Sequence, residues 1–145
     1  MTPIVRRYVK TSFAFLLLGL ALGAWITVDV NLRGRGVPWP LVTAHVHLVL
    51  VGFMLMMVFG VATWMFPRPG KDDPAYRPWL ADVIYWLLTL GTAARTAGEL
   101  GSAAAGVRGG STLAALGGLG QLLAALLFVV NMWARVRMPT AGPPR

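Results

Sequence analysis

The feature that most constrains this chain is the recurrence of four long apolar stretches, roughly Val9–Val30, Leu41–Phe66, Trp79–Ser102 and Thr112–Arg135. A helix needs about 20 apolar residues to cross a hydrocarbon layer about 30 Å thick. Helices suit such a layer because they satisfy every backbone hydrogen bond internally. With 57% of its 145 residues hydrophobic and 12% charged, the chain has too little polar surface to wrap so much apolar surface in water. The expected fold is all-α: an integral-membrane four-helix bundle filling residues 1–137, followed by a Pro-rich, disordered tail over 138–145.

The formal charge of +8 does not point to a nucleic-acid partner. The basic residues flank the apolar stretches, where they set orientation in the bilayer. Arg6, Arg7 and Lys10 lie at the start of the first stretch; Arg68, Lys71 and Arg77 separate the second from the third; Arg135, Arg137 and Arg145 close the chain. The alternate loops hold only Arg33, Arg35 and Arg108. This bias places both termini in the cytoplasm, the protein in the cell's inner (plasma) membrane with several passes, and His45 toward the outer face. The basic-then-apolar N-terminus, with small residues near Gly23 and Ala24, imitates a secretory signal and is read as a retained helix. The chain has no cysteine. That removes disulfides, thiolate metal sites, iron–sulfur clusters and covalently attached haem.

Local signals place the helix ends. Gly34, Gly36, Pro38 and Pro40 make a polar turn after Asp29 and Asn31, and Trp39 suits the headgroup level. Pro67, Pro69 and Gly70 stop the second helix, and Pro78 opens the third. Gly19 and Gly23 form a small-xxx-small pair, and Gly117, Gly118 and Gly120 a second small-residue patch. Both suit close helix packing, within the bundle or, for the first pair, along a homodimer seam.

Ionisable groups inside a membrane are rare and point to function. Here they are His45 and His47 near the start of the second helix and Arg95 and Glu99 near the end of the third. Antiparallel helices bring the two pairs to similar depth, with Asp29 as a further candidate. Two residues apart, the histidines point about 200° from one another on a regular helix, so they cannot share one metal ion. The His45 face continues through Val49, Gly52, Met56 and Gly60. The glycines on that face leave room for a flat, bulky group such as a porphyrin, and neutral imidazole is its usual b-type ligand. A structural interhelical hydrogen bond is the alternative for His45. For His47, helix contact stands beside ligation. Arg95 and Glu99 make either an i, i+4 ion pair or a site in which Arg95 meets an anion such as a propionate while Glu99 carries protons. Met54, Met56, Met57 and Met65 read as interface filling rather than copper ligands. Gln121 and Asn131 read as interhelical hydrogen-bonding groups.

Thr43-Ala44-His45, the Met- and Phe-rich run that follows, Gly60, Trp64 and Phe66-Pro67 together resemble the second helix of haem-copper oxidase subunit I. The His-x-His start and Gly52-Phe53 are also similar to short four-helix relatives of the oxidase and nitric oxide reductase subunits. The resemblance covers about 25 residues of the 145. It implies that His45 ligates a haem b. It does not extend to the copper site, the cross-linked His–Tyr arrangement or the late helix that gives the family its second axial histidine. A sixth ligand then comes from His47, a Met or another subunit, most simply a second copy in a homodimer.

The resulting expectation is a haem-binding protein of electron transfer or haem-based sensing, not an enzyme, that meets a respiratory complex or small redox partner. The alternatives are a cofactor-free accessory or assembly subunit of a respiratory complex and a small transporter or proton conductor using the His/Arg/Glu cluster.

Overall fold

The computed structural model describes residues 2–66, 77–104, 109–133 and 135–136. The expected tail and the loop basics Arg68, Lys71 and Arg108 lie outside these residues. Four helices account for nearly all of the described chain: α1 (Pro3–Asn31), α2 (Trp39–Met65), α3 (Pro78–Ala103) and α4 (Gly110–Trp133). Among them α1, α2 and α4 are long and apolar enough to cross a membrane. The polar groups of α3, including Asp82, Arg95 and Glu99, set it apart.

The helices begin where prolines can be tolerated. Pro3, Pro40 and Pro78 each occupy a first turn, whose N–H groups have no intrahelical partner to lose. α1 therefore starts about two turns before the apolar stretch, and the basic cluster of Arg6, Arg7 and Lys10 rides on the helix itself. Leu48–Leu55, in the middle of α2, is wound as π-helix. Such wide turns are rare and are frequently found at functional sites; this one starts directly after His47.

α1 and α2 form one antiparallel pair, joined by alternating large and small residues. Tyr8 fills the space over Gly60, Phe15 that over Gly52, Val49 that over Gly19, and the His45 ring that over Gly23. The residue numbers in each pair sum to 67 or 68, so the register holds from end to end. Gly19 and Gly23 are thus used inside the chain. α3 and α4 form the second pair, and here backbone meets backbone. A Cβ on Gly98 would sit 2.4 Å from Ala114 N and Gly110 O, and one on Gly117 would sit 2.4 Å from Arg95 N. Dispersion between helices at that range replaces the hydrophobic drive that lipid does not supply.

The two pairs meet around Tyr8, Leu48, Met56, Phe59, Leu88 and Ala124. Phe59 and Phe128 stack across α2 and α4. At the α1 N-terminal end, Arg7 reaches Asp82 at 3.2 Å, Tyr8 donates to Ala81 O at 3.2 Å, and Thr11 Oγ1 lies 2.8 Å from Tyr85 OH. Arg135, folded back from the end of α4, donates to Thr63 O and Phe66 O at 3.2 and 2.9 Å. These carbonyls lie in the last turn of α2 and just past its end, where no intrahelical donor remains. Leucines such as Leu17, Leu18, Leu122 and Leu126 stand outward and exposed. A surface of that kind is stable against lipid or another apolar surface, not against water.

Candidate functional site

His45 and His47 leave α2 in opposite directions, as their two-residue spacing requires, and each engages a different helix. The His45 ring lies against Gly23, where a Cβ would approach Cε1 to 2.6 Å. Its Nδ1 is 2.8 Å from Gly19 O. A carbonyl oxygen only accepts, so Nδ1 carries the hydrogen, and in the neutral ring the lone pair is on Nε2. An imidazole fixed in this way through one nitrogen presents the other as a metal ligand.

His47 turns to α3. Its Nδ1 lies 2.9 Å from Thr43 O and 3.1 Å from Glu99 Oε1. Both partners accept, so this ring too has its hydrogen on Nδ1. Arg95 Nε donates to the same Glu99 oxygen at 3.1 Å. Arg95 Nη1 then reaches Gln121 Oε1 at 3.4 Å, and Gln121 Nε2 donates to Thr92 Oγ1 at 3.2 Å. The network ties α2, α3 and α4 together in one polar patch. Glu99 is only 6% exposed, and two cationic or donor groups share its Oε1. That pairing matters because a lone carboxylate in such surroundings would be very costly.

The network gathers His47, Arg95, Glu99 and Gln121, and leaves His45 apart from them. Asp29 does not join it: this carboxylate pairs locally with Arg33 at 2.9 Å. The methionines do not converge either, since Met56 is buried while Met54 and Met65 are more than half exposed. Among the described residues no three His, Cys, Asp or Glu side chains come together to hold a metal ion.

A b-type haem needs an axial donor and a slot for the porphyrin. The donor is available: with Nδ1 on Gly19 O, Nε2 keeps the lone pair of the neutral His45 ring. The slot expected at Gly52 and Gly60 is filled. A Cβ on Gly52 would lie 2.8 Å from the Phe15 side chain, and one on Gly60 would lie 2.7 Å from Tyr8 Cβ. Those glycines receive α1 aromatics, so the space beside them is not open to a porphyrin. Arg95 is held by Glu99 and Gln121, on the His47 side of α2.

The contact between His47 and Glu99 is the feature that sequence reasoning missed, because the register between α2 and α3 decides which histidine meets α3. The anchoring of Arg135 on α2 was equally hidden. No protein-family model, curated protein or solved structure matches this chain.

Proposed function

We propose that this is a multi-pass membrane protein that binds haem b through His45 and serves electron transfer or haem-based sensing, without an oxygen-reducing centre. The observation that carries the reading is the 2.8 Å contact of His45 Nδ1 with Gly19 O, which fixes the tautomer and leaves Nε2 as the donor. The resemblance of the second helix to haem-copper oxidase subunit I points to the same residue. Bound haem supplies one-electron redox chemistry. The chain's own residues hold the imidazole through Gly19 O and seat its ring over Gly23. In this reading all four helices span the inner membrane and both termini are cytoplasmic, as the distribution of Lys and Arg favours. A second copy of the chain supplies the sixth ligand, since His47 is engaged with Glu99.

The test is an oxidised-minus-reduced optical spectrum of detergent-purified protein, with haem stoichiometry, for the native chain and for His45→Ala. A b-type spectrum lost in His45→Ala supports the assignment. Undiminished haem in the variant removes it.

A second reading is favoured by the filled glycine slots. The α1–α2 seam is complete without a cofactor, as expected of a cofactor-free accessory or assembly subunit of a respiratory complex. A preparation that stays colourless after haem reconstitution and co-purifies with a larger oxidase or reductase would put this reading first.

A further inference from the structure

One side of α3 carries an unbroken run of polar groups. Asp82, Tyr85, Thr89, Thr92, Thr96 and Glu99 follow one another at alternating steps of three and four, the spacing that keeps side chains neighbours on one helix face. At about 1.5 Å per residue the run extends about 25 Å, close to the roughly 30 Å of a bilayer's hydrocarbon core. Elsewhere on this helix only Arg95 and Ser102 are comparably polar.

Its two ends are tied to polar or charged groups on other helices. Asp82 is half exposed and meets Arg7 at 3.2 Å, with Tyr85 beside Thr11 just within. Glu99 is buried and meets His47 and Arg95. Three buried side-chain oxygens lack a hydrogen-bond partner among the described residues: Thr89 Oγ1, Thr96 Oγ1 and Glu99 Oε2. All three lie on this run. Thr96 and Glu99 are 8% and 6% exposed. Valine would match threonine in shape at 89 and 96 without burying an unpaired hydroxyl. Buried hydroxyls of this kind are places where water completes the bonding, and a carboxylate inside a membrane helix marks a proton or ion path.

We infer that the Asp82-to-Glu99 face of α3 is a proton path across the membrane, with Glu99 Oε2 as the acceptor at the end away from Asp82. Asp82 takes a proton from the aqueous phase at its end. Neighbouring groups on the run stand about 5–6 Å apart at Cβ, so water bridges them, and each hydroxyl accepts one hydrogen bond while donating the next. The proton arrives on Glu99 Oε2, the oxygen that His47 and Arg95 leave open, and departs to the opposite side as the carboxylate re-forms. One proton moves, and no electron is transferred. The titratable and charged groups facing the ends are Arg7, Tyr8 and Tyr85 at Asp82, and His47 and Arg95 at Glu99. The fixed guanidinium on Glu99 opposes a metal cation, whereas a proton relay needs only groups that both donate and accept.

The path rests on the reading that α3 spans the bilayer and requires no haem. It is tested in proteoliposomes holding a pH-sensitive dye, with proton flux driven by a potassium gradient and valinomycin. The native chain should conduct well above protein-free liposomes. Thr96→Val and Glu99→Gln should each cut the flux by at least about tenfold, within what a positioned proton-transfer group contributes. Leu90→Ala, on the lipid side, should leave it unchanged. Because valine removes a hydroxyl without a protein partner, Thr96→Val should keep its thermal midpoint, so lost flux is not lost folding. Native flux at the liposome background, or full flux in Thr89→Val/Thr96→Val, overturns the proposal. The cysteine-free chain also permits single-cysteine labelling at Arg77→Cys and Ser102→Cys. Labelling from the same side overturns the span and the path together; opposite sides without flux overturns the path alone.

Discussion

His47 on α2 and Glu99 on α3 meet through Nδ1 and Oε1 at 3.1 Å, and Arg95 Nε reaches the same oxygen at the same distance. One carboxylate thereby ties α2 to α3 at this point. His45, two residues away, plays no part in that lock and is fixed instead by a backbone carbonyl of α1.

Removing the shared carboxylate should be expensive. Glu99→Ala is expected to destabilise the protein by about 3 kcal/mol, the low end for a broken buried pair, since the Arg95 side chain keeps 31% exposure and can turn outward. A double-mutant cycle with His47→Phe should give a coupling energy above about 0.5 kcal/mol. Strict additivity in denaturant unfolding would show that the contact carries no energy.

Gly23→Ala should disturb His45 specifically. The new Cβ would sit 2.6 Å from the ring's Cε1 and 2.8 Å from Nδ1, so the imidazole must leave Gly19 O. The expected cost is about 1–3 kcal/mol from overpacking. If His45 binds haem, bound haem should fall as well, which the optical spectrum reads directly.

Gly98→Val should separate α3 from α4. Its contacts, Ala114 N and Gly110 O at 2.4 Å, are backbone atoms that cannot rotate away. The loss should therefore reach or exceed the roughly 3 kcal/mol upper range for an overpacked core. A thermal midpoint equal to that of the native chain would contradict the observed helix approach.

Phe15→Ala separates the location of a haem from the fold of the seam. Truncating an aromatic ring seated over Gly52 should cost about 3 kcal/mol. Haem content per folded protein should stay constant if the porphyrin lies outside the α1–α2 seam. A tighter-binding variant would instead place the group in the slot that Phe15 fills.

Much of the architecture was legible in the residues. Hydrophobic run length and proline placement gave four helices, three of them within two residues of their observed bounds, while α1 begins six residues earlier than its apolar stretch. The face through His45, Val49, Gly52 and Gly60 was legible too, since periodicity alone defines it. Its occupant was not. Glycines announce a close approach without saying what approaches, and Tyr8 and Phe15 are distant in sequence.

By itself the sequence determined an all-helical chain built for an apolar solvent, the divergence of His45 and His47, and the polar spacing along α3. Run length, the angle per residue and side-chain chemistry suffice for those. Only the tertiary structure decided that His47 and not His45 meets Glu99, that Gly23 seats an imidazole, and that Arg135 closes the end of α2. Each depends on the register between helices. That register is set by the summed fit of many large and small side chains along two whole surfaces, which no single residue or local pattern encodes.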